Sequence, residues 1–184
     1  MAIGQEQTVN GIDVAGLKKA ILEFQKDAGK GEFRFRAENR WLGGGQNRSR
    51  IGDFYGARQE NSHGQTFELN NDEPAVFLGK DKAPNPVEFV LHALGGCLTS
   101  TLVYHAAARG IPIESVESVL EGDMDVRGFL GVEPNVPKGY QAIRVRLRVK
   151  SDAPADRLQE LAEFSPVFNT LMHGVPVELT IEKA

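Results

Sequence analysis

One sulfur and the residues spaced around it bound the chemistry this chain can offer. Cys97 is the sole cysteine in 184 residues, so an intramolecular disulfide is excluded. What remains is a thiol: a nucleophile when ionised, a small apolar filler when not. Gly95 and Gly96 precede it inside a run of small and apolar residues, 86–109, that nothing breaks before Gly110. On an ideal helix Cys97 shares a face with Val90, Ala93, Thr101, Tyr104 and Ala108. Burial among such groups raises a thiol's pKa and leaves it inert unless a cation offsets the effect. Activation therefore requires an arginine from elsewhere, and Arg48 with Arg50, after the glycines at 43–45, is the candidate pair. A packed thiol and an activated thiol both fit these residues.

The remaining polar residues weigh less. His92 and His105 lie about 140° and 80° from Cys97 on the helical wheel, which suits satisfied core or interface histidines better than a catalytic base. His63 beside Gly64 reads as a loop residue. A zinc site lacks ligand spacing, and a cysteine-hydrolase reading lacks an activating histidine with its orienting partner. Glu73 is either a turn acid or a carboxylate able to hold Arg48.

These side chains need elements to hold them. Asn85 is placed to cap a helix whose first residue is Pro86, where a missing N–H costs nothing. Glycines at 95 and 96 each weaken that helix by about 1 kcal/mol relative to alanine, and the return is close approach of another backbone, such as a second copy of the same helix. Its composition implies burial nearly all round. Upstream, Val14, Leu17, Ile21 and Phe24 recur at helical spacing. Phe33 to Trp41 alternates with period two, and a further strand spans residues 65–69. Downstream, residues 116–126 and 142–149 read as strands around a long loop, 127–139. Helical segments at 154–164 and 165–173 follow, then a closing strand at 175–181. The order helix, strands, long helix, strands, helix, strand is that of an α+β domain.

The totals set the outer bounds. Hydrophobic residues at 41 % and charged residues at 25 % describe a folding chain, not a disordered one. The net charge of −4, with arginines alternating instead of clustering, disfavours nucleic acid. Residues 1–10 show neither a basic nor an apolar leader region, so the cytoplasm is the expected compartment. The long helix could span a bilayer by length, but Glu88, His92, Thr99, Ser100, Thr101, Tyr104 and His105 interrupt it, so no membrane role is expected.

The specific pattern is Asn85–Pro86–Val87–Glu88 followed by Ala93–Leu94–Gly95–Gly96–Cys97–Leu98. With Asn10–Gly11–Ile12–Asp13, Phe33–Arg34–Phe35–Arg36, Asn39–Arg40–Trp41, Arg48–Ser49–Arg50 and Asp72–Glu73–Pro74, it resembles the OsmC/Ohr superfamily of osmotically inducible and organic hydroperoxide resistance proteins. It looks closest to the OsmC-like branch with an extra N-terminal helix. The resemblance implies one domain over residues 1–184, with 1–30 as a helical extension, in an α+β OsmC-like fold whose β-sheets pack around a long central helix. It also implies an intertwined homodimer with two interfacial sites and no metal or organic cofactor. The implied function is thiol-dependent reduction of organic hydroperoxides in oxidative-stress defence. Cys97 falls on the peroxidatic position and Arg48 on that of the activating arginine, with Arg50 second. Phe89, Val90, Leu94 and Phe168 would shape an apolar substrate pocket.

Two positions depart from the pattern. The family glutamate directly follows the proline, where this chain has Val87; Glu88, one residue later and rotated by about 100°, is the candidate for that catalytic carboxylate. The resolving cysteine should begin the segment that here reads Ser165–Pro166–Val167–Phe168–Asn169. A peroxidase of this sequence would be a one-cysteine enzyme served by an external thiol reductant. The alternative is a non-catalytic relative that binds a small apolar ligand, with Cys97 merely packed.

Overall fold

Asn10 and Gly11 take φ values of 54° and 77°, the left-handed pair that a two-residue hairpin turn demands. They join β1 (Thr8–Val9) to β2 (Ile12–Asp13). Asp13 then accepts the Gly16 N–H at 3.0 Å and caps α1 (Val14–Lys26), satisfying a donor the first turn cannot. The computed structural model describes residues 8–183. They form two compact units, residues 13–90 in one and residues 8–12 with the chain from 91 onward in the other.

In the first unit β3 (Glu38–Gly43), β4 (Gln46–Gly56) and β5 (Gln59–Asn71) form an antiparallel sheet in sequential order. The strand expected from residue 33 starts only at Glu38; upstream of it there is a single bridge, Arg34 to Tyr55. Ring packing holds that stretch instead. Phe33 covers Gly56, stacks on Phe35 and Phe54 and meets Phe24 edge-on, at centroid distances of 6.0–6.4 Å. The glycine turn is short, because β4 already begins at Gln46. Arg48 and Arg50 are therefore strand residues. The register sets Arg48 opposite Asn70 and Arg50 opposite Glu68, and strand alternation puts Ser49 and Ile51 on the other face.

The connector from residue 72 to 85 is organised by Asp72, which is only 1 % exposed. Its carboxylate accepts Gln46 Nε2 at 3.1 Å and the backbone N–H groups of Glu73, Lys80 and Lys82 at 2.8, 3.4 and 3.2 Å. A buried charge is tolerated when donors surround it in this way. The chain then enters α2 (Pro86–Ala108).

The second unit builds its core on one stripe of α2. Leu94, Leu98, Leu102 and Ala106, four residues apart, pack with Leu158, Leu161 and Ala162 of α4 (Ala155–Ala162). Leu102 and Leu161 are 1 % and 0 % exposed, each contributing about 2 kcal/mol through burial. Against this stripe lies the hairpin of β6 (Ser115–Asp123) and β7 (Ala142–Lys150). Its inward residues include the pair Val116 and Val149, with Leu120, Ile143 and Leu147, while Arg144 meets Glu121 and Asp123 on the outer side. The intervening loop holds the short helix α3 (Val126–Phe129). Helix α5 (Pro166–His173) ends the regular structure.

Two expectations fail here. Within the chain α2 is covered on one flank only: His92, Ala93, Gly96, Ser100 and Tyr104 are exposed. Its apolar composition reports the total demand for burial, not how much of it one chain supplies. No strand forms at 175–181 either. Val175, Val177, Leu179 and Ile181 remain 58–84 % exposed, because no ladder partner lies beside them among the described residues.

Candidate functional site

The entry of α2 is fixed by a reciprocal pair. Asn85 Oδ1 accepts the Glu88 N–H at 2.9 Å, and Glu88 Oε2 accepts the Asn85 N–H at 2.8 Å. This is a capping box, and it occupies the Glu88 carboxylate with the helix's own first turn. Three turns of helix later the thiol appears. Cys97 is half-buried, and its Sγ lies 4.0 Å from Thr101 Oγ1, the neighbour expected at i+4. The two glycines before it have different surroundings. A Cβ on Gly95 would stand 3.0 Å from Leu120 Cδ1, so that glycine admits β6; a Cβ on Gly96 would meet nothing within 4 Å. Cys97 thus borders the uncovered flank of the helix, beside rather than within the Leu94–Leu98–Leu102 stripe.

The arginines are engaged within their own sheet. Arg48 donates from Nε to Asn70 Oδ1 at 2.8 Å and lies 3.2 Å from the Glu68 carboxylate; Arg50 reaches the same carboxylate at 4.0 Å. Glu68 and Asn70, which orient this pair, were not singled out in the sequence; only the β4–β5 register puts them opposite. Asp72 was visible only as part of the Asp72–Glu73–Pro74 pattern, and its role as the acceptor at the centre of the connector comes from the fold. Glu73 supplies a backbone N–H to Asp72 and packs its side chain beside Gly45.

The expected pocket residues separate. Leu94 belongs to the core at 3 % exposure. Phe89 and Val90 are half-buried. Phe168 lines an apolar cavity of about 620 Å³ with Leu98, Leu102, Val145, Leu147 and Leu158. Ser165 is fully buried and caps α5, its hydroxyl accepting the Phe168 N–H at 3.2 Å.

The histidines are all placed by aromatic contacts or helix position. His63 is not in a loop but in β5, 5.0 Å from the Phe54 ring. His105 stacks on Phe164 at 4.4 Å, and Arg109 lies 3.2 Å from its Nδ1. Burial, reinforced by the Arg109 charge, holds the His105 imidazole below its ordinary pKa, which favours its neutral form.

Residues 79–180, more than half of the chain, match the family model described as OsmC-like protein. The chain belongs to the OsmC-like family. Solved structures agree with the fold. An OsmC-like protein from Mycoplasma pneumoniae superimposes with a TM-score of 0.57 at 17 % identity, over 77 % of this chain and 89 % of that one. An OsmC-like protein of unknown function from Vibrio cholerae O1 biovar eltor str. N16961 does so with a TM-score of 0.50 at 14 % identity, over 74 % and 92 %. No curated protein sequence matches significantly. The mixed α+β architecture is thus that of OsmC-like proteins.

Proposed function

We propose that this OsmC-like protein is a one-cysteine thiol peroxidase that reduces organic hydroperoxides. The observation that carries the reading is the position of Cys97 on the uncovered flank of α2, half-buried beside Thr101, where a core filler would be sealed. The Cys97 thiolate attacks the distal peroxide oxygen, the oxygen–oxygen bond breaks, and the alkoxide leaves as an alcohol after taking a proton. The sulfur, oxidised by two electrons, becomes a sulfenic acid. With Ser165 where a resolving cysteine would stand, an external thiol condenses with it, releasing water; a second thiol then frees Cys97. Arg48, with Arg50 second, is assigned the role of holding the thiolate ionised.

The protein acts as a homodimer in the cytoplasm. The open flank of α2 and the unpaired apolar residues at 175–181 support that assembly, since exposed surface of this kind marks an interface.

The apolar cavity beside Phe168 favours a second reading, a ligand-binding relative in which Cys97 is inert. Alkylation of the folded protein near neutral pH, with cumene hydroperoxide as competitor, separates the two. Rapid labelling that peroxide abolishes, with stoichiometric loss of peroxide, is expected. Labelling only after denaturation overturns the peroxidase.

A further inference from the structure

We infer that the first unit carries an oxyanion site of its own, a cavity between Arg48 and Lys82 that takes a small carboxylate or phosphate group. The cavity, about 200 Å³, lies at the end of the β3–β5 sheet where the 72–85 connector crosses it. Its polar lining comes from the amides of Asn47, Asn70 and Asn71, the cations Arg48 and Lys82, and the Asp72 carboxylate, to which Gln46 already donates. Neutral amides with two cations form a donor-rich wall, the chemistry that carboxylate and phosphate oxygens require.

The charges at this place favour an anion. Asp72 also borders the cavity, but four donors from Gln46, Glu73, Lys80 and Lys82 already engage its oxygens. The Lys82 ammonium has no carboxylate partner among the described residues, since only its backbone N–H is engaged. Arg48 uses Nε on Asn70 and one terminal nitrogen on Glu68, which leaves further N–H groups for a guest. A second cavity in the same unit, about 350 Å³, shows the contrast. Glu38 and Asp53 share it with Arg36 and Arg50, and Glu60 chelates Arg36 through both terminal nitrogens. Arg36 there is already answered, and two carboxylates line the cavity itself. The smaller volume of the Arg48–Lys82 cavity limits the guest to a few heavy atoms, below drug size.

Although Arg48 appears in both assignments, binding here needs no thiol. The test titrates ¹⁵N-labelled protein with sodium phosphate and, separately, sodium acetate at constant ionic strength, following the side-chain amides of Asn47, Asn70 and Asn71. Saturable shifts are expected from at least one anion; which one saturates assigns phosphate or carboxylate. Lys82→Ala should weaken that binding about three- to fivefold, the worth of one screened charge pair, and Lys82→Arg should restore it. Lys82→Ala keeps the backbone bond to Asp72, so the connector stays in place. Cys97→Ser should bind unchanged, which keeps this result separate from failure of the peroxidase reading. Shifts that rise linearly for both anions, or equal affinity in Lys82→Ala, overturn the site.

Discussion

Glu88 stands next to the position of the family glutamate, and its carboxylate is already spoken for. If it is a helix cap and nothing more, its variants should move stability and leave turnover alone. Asn85→Ala removes the acceptor for the Glu88 N–H and should cost about 1 kcal/mol. Glu88→Ala removes the 2.8 Å acceptor for the Asn85 N–H, worth about 0.5 kcal/mol where water can replace it. It also removes an acid from the first turn, worth about 0.3–0.5 kcal/mol against the helix dipole. Either variant should therefore lower Tm by about 2–4 °C in a chain of this size. Because the two bonds are reciprocal, the double variant should lose less than the sum, with a coupling of about 0.5 kcal/mol. Glu88→Gln keeps an acceptor oxygen and the capping geometry, so its Tm should fall by less than about 2 °C. The assays are thermal unfolding by circular dichroism and hydroperoxide consumption under saturating reductant. A tenfold or greater loss of turnover in Glu88→Gln at unchanged Tm would refute the capping account and return Glu88 to the chemistry.

Other consequences are independent of that pair. Ser165→Ala takes a fully buried cap from α5 and should destabilise the protein by about 1–2 kcal/mol, read from urea midpoints. An unchanged midpoint contradicts the cap. Burial alone would raise the Asp72 carboxyl, but the Gln46 amide and three backbone N–H groups outweigh it and hold the pKa below its ordinary 3.8. A depressed pKa stabilises the fold above the unfolded value, and that contribution vanishes as pH falls through the folded one. Amide protection at Lys80 and Lys82, relative to intrinsic exchange, should thus fall below about pH 4 in the native protein, and this step should be missing in Asp72→Asn. Leu179→Asp places a charge in the unpaired apolar row at 175–181 and should shift a dimer toward half its mass by light scattering. A mass that does not change removes that row from the interface.

How much of this was written in the sequence depended on the range of the interaction. Asn85, Pro86 and Glu88 set the start of α2 within one turn, and Ile143, Leu147 and Val149 announced a half-buried strand by period alone. The Asn10–Gly11 turn and the α1 cap at Asp13 are local in the same sense, each closed by neighbours a few residues away. Cys97 was legible as a candidate because one cysteine behind two glycines has few uses.

What the sequence could not supply was any partner distant along the chain. Only the β4–β5 register brought Glu68 and Asn70 to Arg48, and only the folded connector surrounded Asp72 with donors from four other residues. The same limit explains the open flank of α2 and the missing strand at 175–181: an apolar helix states how much surface must be covered, and alternating residues state a strand's preference. Neither states who provides the covering surface or the neighbouring strand. Local patterning therefore determined the elements and named the sulfur. Tertiary packing alone decided which side of α2 is closed, which charges are already answered, and where a cation is left to meet a ligand.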